Sequence, residues 1–279
     1  MEYRLIAFDL DGTFLRDNKT IPAENIEMLK KAAECGIFIV PSSGRIFPGI
    51  PSELREAEFI RYYICSNGAS VYDKETDRVI RRAEINCDTA LRCVEYMETL
   101  PAAYDCYMCE HGYMNTDMLT SFDHWIRNPD MLIHMKSLRS PVADLRQFLT
   151  EKGRSVMKLQ LYFDEEHMDE RSRQLVRIPE LFPELTAASS VFNNIEINDR
   201  RATKGQALRD LCGILRIPPE SAVAIGDGSN DIDMICAAGL GIAMGNSCRE
   251  LLDHAGWVTG SNNHSGFADA VRKILENLL

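Results

Sequence analysis

Short apolar runs, each ending in a small cluster of polar and glycine residues, limit this chain to an α/β fold. Leu5-Ile6-Ala7-Phe8 runs directly into Asp9-Leu10-Asp11-Gly12-Thr13. Four apolar residues without alternation read as a parallel strand buried on both faces. Pro22, then Ile26, Leu29 and Ala33 at helical spacing, then Gly36, predict a helix with a defined start and stop. A second apolar run at 37–40 ends in Pro41-Ser42-Ser43-Gly44-Arg45, and a third at 62–65 ends in Ser66-Asn67-Gly68. Strands alternating with helices build a parallel sheet, and ligands of such sheets bind beyond the carboxyl ends of the strands.

The rhythm breaks near Arg81. Residues 83–190 mix a helix-like stretch at 88–100, a polar loop carrying most of the histidines, and helices expected at 141–152 and 165–178 around an alternating strand at 156–163. It resumes after Lys204, with a helix through Ala207, Leu208, Leu211 and Leu215. A buried strand at 222–225 then enters Gly226-Asp227-Gly228-Ser229-Asn230-Asp231. Strands at 240–243 and 257–259 and an amphipathic helix close the pattern. The expectation is a doubly wound, Rossmann-like parallel α/β core from residues 1–82 and 191–279, split by an inserted α+β domain at 83–190.

Bulk properties narrow the partners. The formal net charge of -11, with no long Lys/Arg run, disfavours nucleic acid; Arg81-Arg82 and Arg200-Arg201 are isolated pairs. No stretch approaches the roughly 20 apolar residues of a membrane span. The first residues lack a basic and then apolar leader, so a cytoplasmic protein that does not bind membranes is expected, as monomer or homodimer. Nine cysteines, an odd and scattered number, argue for reduced thiols. Cys106 and Cys109 with His111 suggest half a zinc site or a redox pair, but no second Cys/His pair follows at zinc-finger spacing. Residues three apart on a strand also face opposite ways, so half-buried thiols are expected.

Four sets of residues stand at or near the ends of the expected core strands: Asp9 with Asp11, Ser43 with Gly44 and Arg45, Lys204, and Asp227 with Asp231. Asp9, Asp11 and Asp227 would repel one another unless a hard cation joined them, and Mg²⁺ takes carboxylates, water and phosphate oxygens. A carboxylate can attack phosphorus. Lys204, the Ser43 hydroxyl and backbone N–H groups of the Asp11–Gly12 turn would neutralise the phosphoryl oxygens. Asp11, just past the strand, would protonate the leaving oxygen and then deprotonate water. Taken singly these signals are weak, because Asp-Gly pairs are common in turns. A calcium-loop reading from Asp227 fails, since Ile232 and Ala238 stand where glycine and a bidentate acid are needed.

The four sets in this order resemble the haloacid dehalogenase superfamily, and within it the Cof-type branch with a type IIB cap. Asp9-Leu-Asp-Gly-Thr13 is similar to its first motif, Ser43-Gly-Arg45 to the second (usually Thr-Gly-Arg), Lys204-Gly205 to the third and Gly226-Asp-Gly-Ser-Asn-Asp231 to the fourth. The Ser-Asn-Gly-Ala69 and Gly241-Ile-Ala-Met-Gly-Asn246 segments are also similar. The resemblance implies that Asp9 is the nucleophile and Asp11 the acid/base. It implies metal ligation by Asp9, Asp227 and the carbonyl of Asp11, and phosphate binding by Gly12, Ser43, Gly44 and Lys204. Asn230 would help to place Lys204, with Asp231 in support, and the insertion would be a cap.

The expected reaction is Mg²⁺-dependent hydrolysis of a small phosphorylated metabolite, such as a sugar phosphate or a phosphorylated cofactor. A sugar-phosphate phosphomutase and a phospho-accepting signalling module are the alternatives. Arg45 and Asn194 are candidate substrate contacts, with Asp123, His124 and Lys158 further candidates in the insertion and Asn193 another where the chain returns to the core.

Overall fold

The computed structural model describes residues 3–189 and 192–276. These form two compact units, Met1–Arg82 with Ala202–Leu279, and Ala83–Arg201. The strands are, in chain order, β1 (Leu5–Phe8), β2 (Phe38–Pro41), β3 (Tyr62–Cys65), β4 (Ser70–Asp73), β5 (Arg78–Arg82), β6 (Ala102–Met108), β7 (His111–Asn115), β8 (Arg139–Val142), β9 (Lys158–Phe163), β10 (Leu185–Ala188), β11 (Asn194–Asp199), β12 (Ala222–Gly226), β13 (Leu240–Ala243) and β14 (Trp257–Val258).

The first unit is built on a parallel sheet in the order β14-β13-β12-β1-β2. Its strands alternate between two cores, as period-2 geometry requires. Ile6, Phe8, Ile39, Val223, Ile225 and Ile242 face one cluster that includes Met28, Leu29, Val271 and Ile274 of the helices Ala23–Glu34 and Gly266–Leu275. Leu5, Ala7, Val40, Ala222, Ala224 and Ala243 face a second with Leu208, Leu211, Met234 and Ile235. Phe8, Phe14 and Phe267 meet at centroid distances of 5.0–5.1 Å. Each such pair adds about 0.5–1.5 kcal/mol beyond its buried area.

This arrangement fixes what lies at the carboxyl edge. Phe8 is in register with Ile225 on one side and Pro41 on the other. The residues that follow, Asp9, Asp227 and Ser43, therefore leave adjacent strands at nearly the same height. The chain adds β2 on one flank of β1 and β12 on the other, so Asp9 stands where the strand order reverses.

Three sequence expectations need correction. The third apolar run, expected to continue the alternation that builds a parallel sheet, instead opens another one: β3, β4 and β5 form an antiparallel three-stranded sheet, attached to the parallel sheet by a bridge between Ser42 and Ile64. The helix expected over 141–152 begins only at Leu145, because Pro141 and Val142 belong to β8 beside β7. The expected boundary between 190 and 191 lies outside the described residues, and the described residues beyond it up to Arg201 belong to the second unit. The physical reason is β11, which pairs antiparallel with both β9 and β10.

The second unit is an α+β unit with a six-stranded sheet, β10-β11-β9-β6-β7-β8. One sheet face packs Tyr104, Cys106, Leu159, Leu161, Ile195 and Ile197 into an apolar cluster with the helices Cys87–Met97, Leu145–Lys152 and Met168–Leu181. Among the described residues no helix is long and apolar enough to cross a membrane.

Candidate active site

Lys204 opens the helix Lys204–Leu215, whose first turn is capped by the Thr203 hydroxyl accepting from the Gln206 N–H (3.1 Å). The turn Ser66–Gly68 packs on this helix start. Gly68 has φ of +93°, and a Cβ there would lie 2.2 Å from the Thr203 carbonyl oxygen, so only glycine fits. The fully buried ammonium of Lys204 donates to Asp9 Oδ1 (2.5 Å) and Asp231 Oδ1 (2.6 Å). Asp231 Oδ2 accepts from the backbone N–H groups of Asp227 (3.1 Å) and Gly228 (3.0 Å), which sets the loop after β12. Asp227 Oδ1 in turn accepts from the Thr13 hydroxyl (2.6 Å). The turn after β1 crowds against this carboxylate. Gly12, at φ +87°, would place a Cβ 2.3 Å from Asp227 Oδ2.

Asp9, Asp227 and Asp231 thus present oxygens within 4.8 Å of one another. Three carboxylates face one ammonium, so the cluster is short of two positive charges. The titration behaviour agrees. Burial and the carboxylates of Asp231, Asp227 and Asp11 push Asp9 well above the ordinary range against the pull of Lys204. Burial and Asp231 raise Asp227 to about 6, although the Thr13 hydrogen bond opposes them.

A divalent cation fits this donor set: hard oxygens, excess negative charge, and Asp9 and Asp227 each with one oxygen outside the bonds just named. Asp231 fits less well as a ligand, because Lys204 and two backbone N–H groups already engage its oxygens.

This charge imbalance makes stability depend on pH. A carboxyl whose folded pKa is raised stabilises the fold when protonated, and the gain disappears as pH rises through the folded value. Through Asp227 and Asp9, the chelated protein is expected to lose melting temperature as pH rises from about 4 through about 6. Added Mg²⁺ should restore more stability at pH 7.5 than at pH 5, since protons compete for the same oxygens. Thermal melts with chelator and with Mg²⁺ across pH isolate this cluster from other carboxylates. Parallel curves would refute a cation at this site.

Asp11 is placed differently from the other acids. Arg45 holds it bidentately, Nε to Oδ2 (2.9 Å) and Nη2 to Oδ1 (2.8 Å), and Lys19 Nζ donates to the same Oδ1 (2.8 Å). Burial would raise its pKa, but Arg45 and Lys19 outweigh burial and hold it at about 2. As placed, Asp11 is a carboxylate. Ser43 is buried at the end of β2, and its hydroxyl accepts from the Arg45 N–H (3.2 Å), with Gly44 between them.

The expected role of Asn230 is revised. Lys204 donates to Asp9 and Asp231, while Asn230 Nδ2 donates to Asn67 Oδ1 (3.2 Å). Asn230 therefore ties its loop to the turn beneath Lys204, and Asp231 holds the lysine itself. Sequence reasoning gave no role to Thr13, Lys19 or Asn67. Thr13 was legible as the last residue of the Asp9–Thr13 motif; nothing in the sequence signalled Lys19.

The candidates in the second unit are engaged within it. Asn194 is buried in β11, where Ser189 Oγ donates to its Oδ1 (3.4 Å). Lys158 Nζ donates to Glu196 Oε1 (3.0 Å), His124 pairs with Asp164 (3.2 Å), and Asn193 Nδ2 donates to the Trp125 and Phe163 carbonyls. Asp123 is exposed. None of these belongs to the carboxylate cluster of the first unit. Cys106 is buried and Cys109 exposed. Among the described residues they form no metal cluster with His111.

A parallel sheet with an aspartate just past β1, a buried lysine and a late acidic loop defines a class, and the comparison of sequences agrees. The family model of haloacid dehalogenase-like hydrolases matches residues 6–271, and the chain belongs to that family. It is similar to Phosphatase YwpJ of Bacillus subtilis (strain 168), 29% identical over 294 residues covering 98% of this chain and 100% of that protein. It is also similar to the 5-amino-6-(5-phospho-D-ribitylamino)uracil phosphatase YwtE of the same organism, 27% identical with 98% of each covered. A solved haloacid dehalogenase-like hydrolase from Bacteroides thetaiotaomicron matches with a TM-score of 0.82 at 26% identity, covering 98% of this chain and all of that one.

Proposed function

We propose that the protein hydrolyses small phosphate monoesters, with Mg²⁺ as cofactor and an aspartyl-phosphate on Asp9. The observation that carries this reading is the buried Asp9–Lys204–Asp231 contact beside Asp227, a cluster short of two positive charges. Mg²⁺ would be held by Asp9 and Asp227, with the Asp11 carbonyl as the family resemblance implies, and when bound it supplies the charge that lets an anionic phosphoryl group approach a carboxylate.

Lys204 fixes the Asp9 carboxylate through Oδ1, and one carboxylate oxygen attacks phosphorus. The Asp9 O–P bond forms as the ester O–P bond breaks. Asp11, ionised as placed, first leaves Arg45 and Lys19 and takes up a proton from solvent; it gives that proton to the leaving oxygen, then takes one from the water that attacks phosphorus and returns Asp9 as carboxylate. The ammonium of Lys204, the Ser43 hydroxyl and the backbone N–H groups around Gly12 offset charge on the phosphoryl oxygens. The second unit would choose the leaving group, and the ribityl compound named for YwtE supports a phosphorylated metabolite as substrate. A protein in the cytoplasm suits such substrates.

A phosphate-release screen over metabolite phosphomonoesters, with Mg²⁺ and with chelator, tests the reading. Asp11→Asn should lower kcat about 10²–10⁴-fold, the usual contribution of a positioned proton donor. The loss should be smaller for p-nitrophenyl phosphate, whose leaving oxygen needs little protonation. Chelator-insensitive release with an unaffected Asp11→Asn variant would overturn it.

A further inference from the structure

Two cations end on a single carboxylate oxygen in the first unit, and each is fixed by bonds of its own. Arg45 Nη1 donates to the Gly49 carbonyl (3.1 Å), and the Arg45 backbone N–H and carbonyl bond to Ser43 Oγ and the Ser66 N–H. Its guanidinium would stay in place if Asp11 moved. Lys19 rides on a turn in which the Arg16 N–H donates to the Thr20 carbonyl (3.0 Å) and Asn18 Oδ1 accepts from the Thr20 N–H and hydroxyl. That turn is pinned to the later loop by Asn262 and Asn263, whose side-chain amides donate to the two oxygens of Asp17 at 3.0 and 2.8 Å.

Lys19 itself sits at φ +66°, a left-handed conformation unfavourable for a non-glycine residue. Its side chain is 60% exposed. An exposed ion pair contributes little, so the bond to Asp11 does not offset that strain as a stabilising device. Strain of this kind, held by surrounding bonds, points to a functional position.

In the reaction proposed above, Asp11 has to leave both cations to reach the leaving oxygen. Its departure would strip Arg45 and Lys19 of the one counterion they share. We propose that the two form a receptor for a second anionic group on the leaving part of the substrate, a carboxylate or a further phosphate, which takes the place of the Asp11 carboxylate. Nε and Nη2 of Arg45 present the planar fork that two oxygens of such a group fit, and Lys19 adds a point charge on one of them. One anion replaces another, so the charge of the site is unchanged by the exchange. The inference rests on Asp11 being the proton donor, and it makes esters with a second anion the preferred substrates.

The test compares 6-phosphogluconate with sorbitol 6-phosphate, open-chain esters that differ in one terminal carboxylate. The wild-type protein should favour 6-phosphogluconate. Lys19→Met should lower kcat/KM for it about tenfold or more, mainly through KM, as expected for loss of a charged hydrogen bond. Sorbitol 6-phosphate should fall clearly less than 6-phosphogluconate, since it lacks the group that this charged bond would hold and feels only the lost contact of Lys19 with Asp11. Lys19→Asn, whose side chain tolerates the left-handed backbone, should behave as Lys19→Met does and removes misfolding as an explanation. An equal fall on both esters would make Lys19 a positioning residue for Asp11, and no change on either would make the pair structural; both results overturn the receptor. Release from 6-phosphogluconate and sorbitol 6-phosphate without discrimination by the wild type would overturn the receptor and leave the phosphatase reading intact. Absence of release from every ester would overturn both.

Discussion

Asp9→Asn should abolish phosphate release, by about 10⁴-fold or more as for loss of a covalent nucleophile, while leaving the folded protein at least as stable as before. Burial and three neighbouring acids disfavour the Asp9 carboxylate, so a neutral amide of the same shape relieves repulsion. Lys204 keeps Asp231, and the amide oxygen can still accept from its ammonium. The melting temperature under chelator should therefore hold or rise at pH 7.5. The increase on adding Mg²⁺ should shrink, because one of two proposed ligands has lost its charge. Burst experiments with the wild type should trap phosphate on the protein, and the variant should trap none. Undiminished, metal-independent release by Asp9→Asn would sink the mechanism.

Lys204→Met should be severe in a different way, unfolding the protein more readily as well as silencing it. Burial alone would push the Lys204 ammonium down, but Asp231 and Asp9 outweigh it and hold its pKa above the ordinary lysine value. Removing one partner of a buried ion pair costs about 3–5 kcal/mol, because the charges left behind are neither solvated nor paired. In the variant, Asp9, Asp227 and Asp231 face one another without that ammonium. The raised proton affinity of Asp9 and Asp227 fixes the sign: the deficit is smallest at low pH, where these two are neutral, and grows as pH rises. Urea unfolding at pH 5 and pH 7.5 should show the larger loss at pH 7.5, and adding Asp231→Asn should recover part of it. A pH-independent deficit would mean that Lys204 matters through packing alone.

Much of the first unit was legible because local pattern and tertiary role coincide there. Residues 5–8, 62–65 and 222–226 are apolar throughout, and only a strand covered on both faces uses such a run. Gly226-Asp227 and Phe8-Asp9 announce the carboxyl edge for the same reason. What escaped was decided by partners far off in sequence. Asn194-Ile-Glu-Ile-Asn-Asp199 alternates cleanly and would suit either sheet; pairing with β9 and β10 places it in the second unit. Pro141 sits in a strand because β7 runs parallel beside it, which no periodicity within 139–142 reveals. In the site, Asp231 outranks Asn230 at Lys204 through a geometry of the loop after β12 that composition does not encode. Lys19 is invisible for a like reason: a lysine in a polar turn says nothing until a left-handed backbone aims it.

The order of strands also dictates a timetable. β1 lies between β2, made early, and β12, made more than two hundred residues into the chain. The second unit is one uninterrupted segment, Ala83–Arg201, with its own sheet and apolar core. Since domains fold as units during synthesis, this segment can finish while the first unit is still half written. Until Lys204, Asp227 and Asp231 emerge, Asp9 stands with Asp11 alone at the edge of an incomplete sheet. A ribosome-bound chain therefore carries no reactive centre through most of its synthesis.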